Sequence, residues 1–247
     1  VRVSVLNSWL QSRKSTRRRR RARLGFESLE KRNLLATLIT VNSVEDGLRE
    51  DSVITLREAV RFANGDFGLD GFTNDELKQV RSGVASDFDV IIRLDAATYS
   101  VAAALGPIRI SKSVSIEGVV GTTISPREPD QSLANASLFL VNSMANARLS
   151  NLKLQNARAL SISPSEEFET HGAAVYNRGT LALESVQLSN NISLVGGAIA
   201  NDSGGKLTLV NSSITNSSAS VFTFLPLGTA IVPRGGGLFN EGTATVI

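Results

Sequence analysis

Two short patterns return along the second half of the chain, and their spacing restricts the fold more than any other feature. Leu152-Lys153-Leu154-Gln155-Asn156 aligns with Val186-Gln187-Leu188-Ser189-Asn190 and Ser212-Ser213-Ile214-Thr215-Asn216, at offsets of 34 and 26 residues. Gly172-Ala173-Ala174-Val175-Tyr176-Asn177 aligns with Gly196-Gly197-Ala198-Ile199-Ala200-Asn201 and Gly235-Gly236-Gly237-Leu238-Phe239-Asn240, at offsets of 24 and 39. Self-similarity at a period of about 20 to 50 residues marks a solenoid, because a single repeat cannot bury its apolar face and must stack on its neighbours. The longer offsets are the shorter ones plus inserted loops, at residues 161–170 and 220–234. Between the two patterns run Leu181-Ala182-Leu183, Leu207-Thr208-Leu209 and Ala244-Thr245-Val246, alternating with the two-residue period of a strand. Each rung therefore reads as three short strands.

Stacking these rungs places Leu149, Leu183 and Leu209 in one inward column and Leu154, Leu188 and Ile214 in another. The outward columns are then Arg148/Ala182/Thr208, Ser150/Glu184/Val210 and Lys153/Gln187/Ser213. Two asparagine sets fall at equivalent turns, Asn177, Asn201 and Asn240 in one and Asn156, Asn190 and Asn216 in the other. Both read as ladders whose side chains exchange hydrogen bonds from rung to rung. The fold class is all-β, a right-handed parallel β-helix with a short N-terminal capping helix.

That helix is carried by Thr55-Leu56-Arg57-Glu58-Ala59-Val60-Arg61-Phe62-Ala63-Asn64-Gly65. Thr55 and Glu58 have capping-box spacing, Leu56, Ala59, Val60 and Ala63 form one apolar face, and Asn64-Gly65 is a stop. A helix this short needs an apolar surface to cover. The first rung of a solenoid offers one, together with an unpaired strand edge. Residues 66–87 then read as a polar, solvated insert. Asp66, Asp70, Asp75 and Glu76 there make calcium the alternative, but their spacing does not fit an EF-hand loop. No other cofactor is implied.

The basic pI near 9.5 belongs to the leader and not to the folded part. Residues 1–36 hold 11 Lys+Arg against 2 acids, a net of +9, whereas residues 37–247 hold 15 against 21, a net of −6. A mildly acidic solenoid repels a phosphate backbone, so no nucleic-acid partner is expected. No apolar run approaches the roughly 20 residues of a membrane-spanning helix. With no cysteines, disulfides and thiolate metal sites are excluded. Three segments follow: residues 1–36, a disordered basic export leader; residues 37–125, the cap and first strands; and residues 126–247, the repeat rungs. The chain begins with Val1, suggesting an alternative start codon. It stops at Ile247 in mid-strand, which suggests that further rungs follow.

Three resemblances bear on function. Leu29-Glu30, Arg32 and Leu34-Leu35, behind the five arginines at residues 17–21, resemble the LEPR-XLL sorting motif of large exported bacterial proteins, with Lys31 in place of the usual proline. Ile54-Thr55-Leu56-Arg57-Glu58-Ala59 resembles the CSLREA-type element that opens many bacterial β-helix domains, with Ile54 at the place of the cysteine. Asp89-Val90-Ile91-Ile92-Arg93-Leu94 and the stretch from Gly106 to Gly118 look like the first strands of those domains. The glycine and asparagine patterns are similar to the repeats of polymorphic outer-membrane proteins. Together these imply an exported protein of the cell surface, outer membrane or extracellular space, with a structural or adhesive role and a polysaccharide or protein as partner.

The competing expectation is an extracellular polysaccharide lyase or glycoside hydrolase, since parallel β-helices include both. Such chemistry needs carboxylates within about 5 to 10 Å of one another. The aligned outward strand columns hold one carboxylate among them, Glu184, so no catalytic residue is assigned. One turn column is suggestive as a binding site: Arg178, Asp202 and Glu241 each follow a ladder asparagine, and an Asp-Glu pair beside an arginine suits a cation or a sugar. His171 is the only histidine, which rules out a metal site with two imidazoles. Tyr99 and Tyr176 read as packing or turn residues, and Trp9 lies in the leader. No metal site is assigned.

Overall fold

In the computed structural model, residues 34–48, 51–127, 137–160, 170–220 and 233–247 are described, all within the unit Asn33–Ile247. The leader expected at residues 1–36 lies outside them, except that its last residues enter the strand Leu34–Thr40, where Ala36 is buried. Strand is the main regular structure of the described residues, and the strands stack in parallel from rung to rung as an all-β, solenoid-like fold.

The rung Thr180–Glu184, Gln187–Ser189, Ile192–Ser193 and Ile199–Asn201 shows the plan. Its strands join four sheets, called here the long, second, short and closing sheets, which among the described residues have eight, five, three and five strands. The short sheet is an addition to the three strands expected. Its members, Arg158–Ala159, Ile192–Ser193 and Ser218–Ala219, are two residues each, too short to show an alternating pattern.

The inward columns follow the register read from the repeats. In the long sheet Ile39, Ile92, Ile116, Leu149, Leu183, Leu209 and Val246 are successive partners. In the second sheet the series is Tyr99, Ile124, Leu154, Leu188 and Ile214. Apart from the last residue or two of each column, these side chains are buried in one core. At about 25 cal/mol per Å² of apolar surface withdrawn from water, such columns are the main favourable term for the stack. Corners are turned by left-handed backbone at Asn151, Ser185 and Asn211, at Asn156, Asn190 and Asn216, and at Gly172, Gly196 and Gly235. At Gly196, φ is +65° and an added Cβ would lie 2.1 Å from the Ile199 carbonyl oxygen, so only glycine fits.

The closing sheet departs from a simple inside-apolar, outside-polar rule. On its outer face Leu140, Tyr176 and Ala200 are buried with Leu194 and Val195 in a second apolar cluster, because the segment leading into Ile199–Asn201 packs over that face.

The helix Leu56–Asn64 has the expected capping box, with Thr55 Oγ1 accepting from Glu58 N and Glu58 Oε2 accepting from Thr55 N. Gly65 at its end has φ +79°. Leu56, Ala59, Val60 and Ala63 join the main core, and the helix packs against Ile108–Ile110. Residues 66–87 are largely exposed, as expected, but are not a loop throughout. Two 3-10 turns lead into the strand Val80–Ser86, which pairs antiparallel with Leu34–Thr40 and forms the edge of the long sheet. Of the acids there, Asp66 pairs with Arg61, Asp75 with Lys78, and Glu76 is buried and accepts from Thr73 N. No helix among the described residues is long and apolar enough to cross a membrane.

Candidate functional site

Four charged side chains from four successive rungs line up on the outer face of the long sheet: Arg93, Glu117, Arg148 and Glu184. The parallel pairing aligns Arg93 with Glu117, and Ser115 with both Ile91 and Arg148; Glu184 stands one rung beyond Arg148. Arg148 is the hub. Its Nη2 lies 2.7 Å from Glu117 Oε1, its Nη1 3.9 Å from Glu184 Oε2, and its Nε donates to Ser115 Oγ at 3.1 Å. Arg93 Nε reaches Glu117 Oε2 at 3.8 Å, and the Arg148 guanidinium sits 5.4 Å from the centre of the Phe88 ring. A fork fixed from several sides is preorganised, since its planar donors have little rotational freedom left to lose on meeting a ligand.

Around this run the surface dips into a groove of about 310 Å³ lined by Glu117, Gly118, Arg148, Ser150, Asn151, Glu184 and Ser185. A second groove, of about 190 Å³, shares Asn151 and Ser185 with the first and continues around the corner onto the second sheet, between Val119, Val120, Leu152, Lys153 and Gln187. Sequence reasoning found Glu184 and Arg148 as members of outward columns but missed the site. Aligning the repeats from Leu152 onwards leaves out Ser113–Glu117, the strand that brings Glu117 to Arg148 across 31 residues. Carrying the long-sheet register back one rung from Arg148 would have found it.

The turn column singled out in the sequence is built differently. Arg178, Asp202 and Glu241 follow one another up the stack, the amides of Asp202 and Glu241 donating to the carbonyls of Asn177 and Asn201. Arg178 Nε lies 3.3 Å from Asp202 Oδ2, which also accepts from the Tyr176 hydroxyl at 3.2 Å, while Oδ1 accepts from Ser203 N. Glu241 is exposed one rung further on. His171 stacks on Tyr176 at 5.1 Å. The Asp202 carboxylate is thus spoken for by an arginine, a phenol and an amide.

Asn177, Asn201 and Asn240 face inward and link by side-chain amides, each bond 2.6 Å long. Asn156, Asn190 and Asn216 instead supply left-handed corners, with φ of 60°, 56° and 49°. The rung-to-rung side-chain bonds at that corner are made by the next residue: buried Asn191 accepts from Ala157 N at 3.0 Å and donates to the Leu154 carbonyl at 3.1 Å. Among the described residues no group of three or more His, Asp or Glu is placed to hold a metal ion.

Arg57, in the helix, is buried. Its Nη2 and Nε bind the two oxygens of Asp46, each at 2.7 Å, and its remaining donors reach the carbonyls of Leu105, Gly106 and Pro107. Asp46 Oδ2 also accepts from Ala102 N at 2.7 Å. This clasp ties the segment before the helix, the helix itself and the loop into Ile108–Ile110 into one unit.

Comparison with family models, with curated proteins and with solved structures finds no match. The functional reading therefore rests on geometry.

Proposed function

We propose that this chain is an exported right-handed parallel β-helix that serves at the cell surface as a structural or adhesive rod, with the helix Leu56–Asn64 capping the N-terminal end of the stack. The observation that carries this reading is the continuity of the rungs: an apolar column runs the length of the long sheet, and the Asn177–Asn201–Asn240 ladder runs along the same stack. A fold made of near-neighbour contacts is stiff and elongated and leaves whole sheet faces for contact with a partner. The capping role is supported by the buried face of the helix and by the Asp46–Arg57 clasp, which binds it to the first rungs. Export is supported by the basic leader and its likeness to the LEPR-XLL motif. The acidic balance of residues 37–247 argues against a nucleic-acid partner.

The depolymerase reading is weaker. Glu117 and Glu184 stand two rungs apart on the outer face. Both reach Arg148, whose guanidinium fills the space between them that the attacking water of an inverting glycosidase needs.

Labelling intact cells with an antibody against the folded unit tests the reading, paired with an adhesion assay on cells with and without the gene. Surface labelling and loss of adhesion on deletion are expected. A protein retained in the cytoplasm would overturn the proposal.

A further inference from the structure

We infer that the furrow formed by the two joined grooves binds a neutral, hydroxyl-rich glycan chain; this rests on the adhesive reading and gives it a ligand class. The furrow has two chemically different parts that meet at Asn151 and Ser185. One is polar and holds Glu117, Arg148 and Glu184. The other has an apolar wall of Val119, Val120 and Leu152 facing Lys153 and Gln187. Val120 is 97% exposed, an aliphatic side chain held in water at the lip of a groove.

A sugar chain offers the matching pair of surfaces. Its ring hydroxyls both donate and accept, so neighbouring hydroxyls can bridge a carboxylate and a guanidinium that already lie side by side. The ring C–H faces suit the valine wall. Total volume agrees, since ligand sites begin at about 300 Å³.

Charge and backbone select among ligands. Among the side chains lining the furrow, Arg148 and Lys153 balance Glu117 and Glu184, leaving it without a net field to attract an anionic polymer. A peptide adding as a strand needs free backbone groups, and the amides here are engaged: Gly118 donates to Ser150, Asn151 to Glu184 and Ser185 to Val210. Recognition is left to side chains.

The test is an array carrying neutral hexose and N-acetylhexosamine oligosaccharides, uronic-acid oligomers and extended peptides, probed with the full chain and with Glu184→Ala and Val120→Asp. Both side chains are solvent-exposed, so circular dichroism of each variant should match the parent. Retention of neutral oligosaccharides, weakened about tenfold or more by each variant, is expected. Retention of uronates or peptides alone, no retention, or equal binding by the variants would overturn the inference. The adhesion assay separates the two failures: cells that lose adhesion on gene deletion but keep it with both variants leave the adhesive role standing without this site. Cells that adhere equally without the gene remove the adhesive role itself.

Discussion

Asn177 donates its side-chain amide to Asn201 Oδ1 at 2.6 Å, inside the stack and shielded from water, and Asn201 repeats the bond to Asn240. The same column holds Ile110 and Val141 in the earlier rungs, so an apolar column becomes an amide ladder where the repeats become regular. Asn201 Nδ2 also faces the carbonyls of Gly205 and Thr243. Replacing it with alanine strips partners from both neighbours and leaves carbonyls facing a cavity. Asn201→Ala should cost about 3 kcal/mol, since each buried polar group left unpaired costs about 1 to 3 kcal/mol. Chemical denaturation measures this, and Asn216→Ala, at the outer corner, should lose less than half as much.

Leu183 and Gln187 test the assignment of faces. Leu183 is fully buried, whereas Gln187 is exposed, four residues on. Leu183→Asp buries an unpaired carboxylate and should unfold the rungs, as should Leu209→Asp. Gln187→Asp should leave the melting temperature nearly unchanged. Equal losses from Leu183→Asp and Gln187→Asp in thermal melts would mean that the inward face is misassigned.

The Asp46–Arg57 pair is buried on both sides, with side-chain exposures of 2% and 8%. Asp46→Ala leaves the guanidinium with carbonyl partners and no counter-charge, at a cost of about 3 to 5 kcal/mol. Hydrogen exchange should show the loss first in the helix Leu56–Asn64 and the strand Ile108–Ile110, which the clasp joins. Loss confined to rungs beyond Lys206 would contradict this role.

Tyr99 sits in the inward column of the second sheet, and burial pushes its phenol above the ordinary value of 10.0, although the Asp95 amide bonded to its oxygen acts the other way. A raised folded-state value stabilises below the unfolded value, and that contribution is lost as pH rises beyond it. The stability of the parent should therefore fall above pH 10 more steeply than that of Tyr99→Phe. At neutral pH the variant should be about 1 kcal/mol less stable for want of an acceptor for the Asp95 amide. Parallel unfolding curves for the two across pH 9 to about 11 would count against a buried phenol.

What could be read in advance followed from periodicity. Leu183 and Leu209 were legible because a leucine on either side of one residue, repeated 26 residues on, admits one inward face. Asn201 was legible because it ends the same short string in each rung. The two-residue strand Ile192–Ser193 was not, since two residues have no alternation. Nor was Val80–Ser86, whose partner Leu34–Thr40 lies before the helix and pairs in the opposite sense. Of the site, the residues were visible but not their meeting. Glu117 and Arg148 lie in rungs separated by an irregular interval, and Arg57 finds Asp46 and three carbonyls about 50 residues on through tertiary packing alone.

Every column above depends on the rung register, and a cysteine-free chain allows it to be tested by cross-linking. Lys153 and Gln187 are direct partners on the outer face of the second sheet, whereas Lys153 and Ser189 are offset by two residues along the strand. Disulfides form when Cα atoms lie about 4.4 to 6.8 Å apart, which the paired positions satisfy and the offset pair exceeds. On mild oxidation, the double variant Lys153→Cys/Gln187→Cys should form an intramolecular disulfide and gain thermal stability, while Lys153→Cys/Ser189→Cys should remain reduced. The reverse result would contradict the register and the stacked fold built on it.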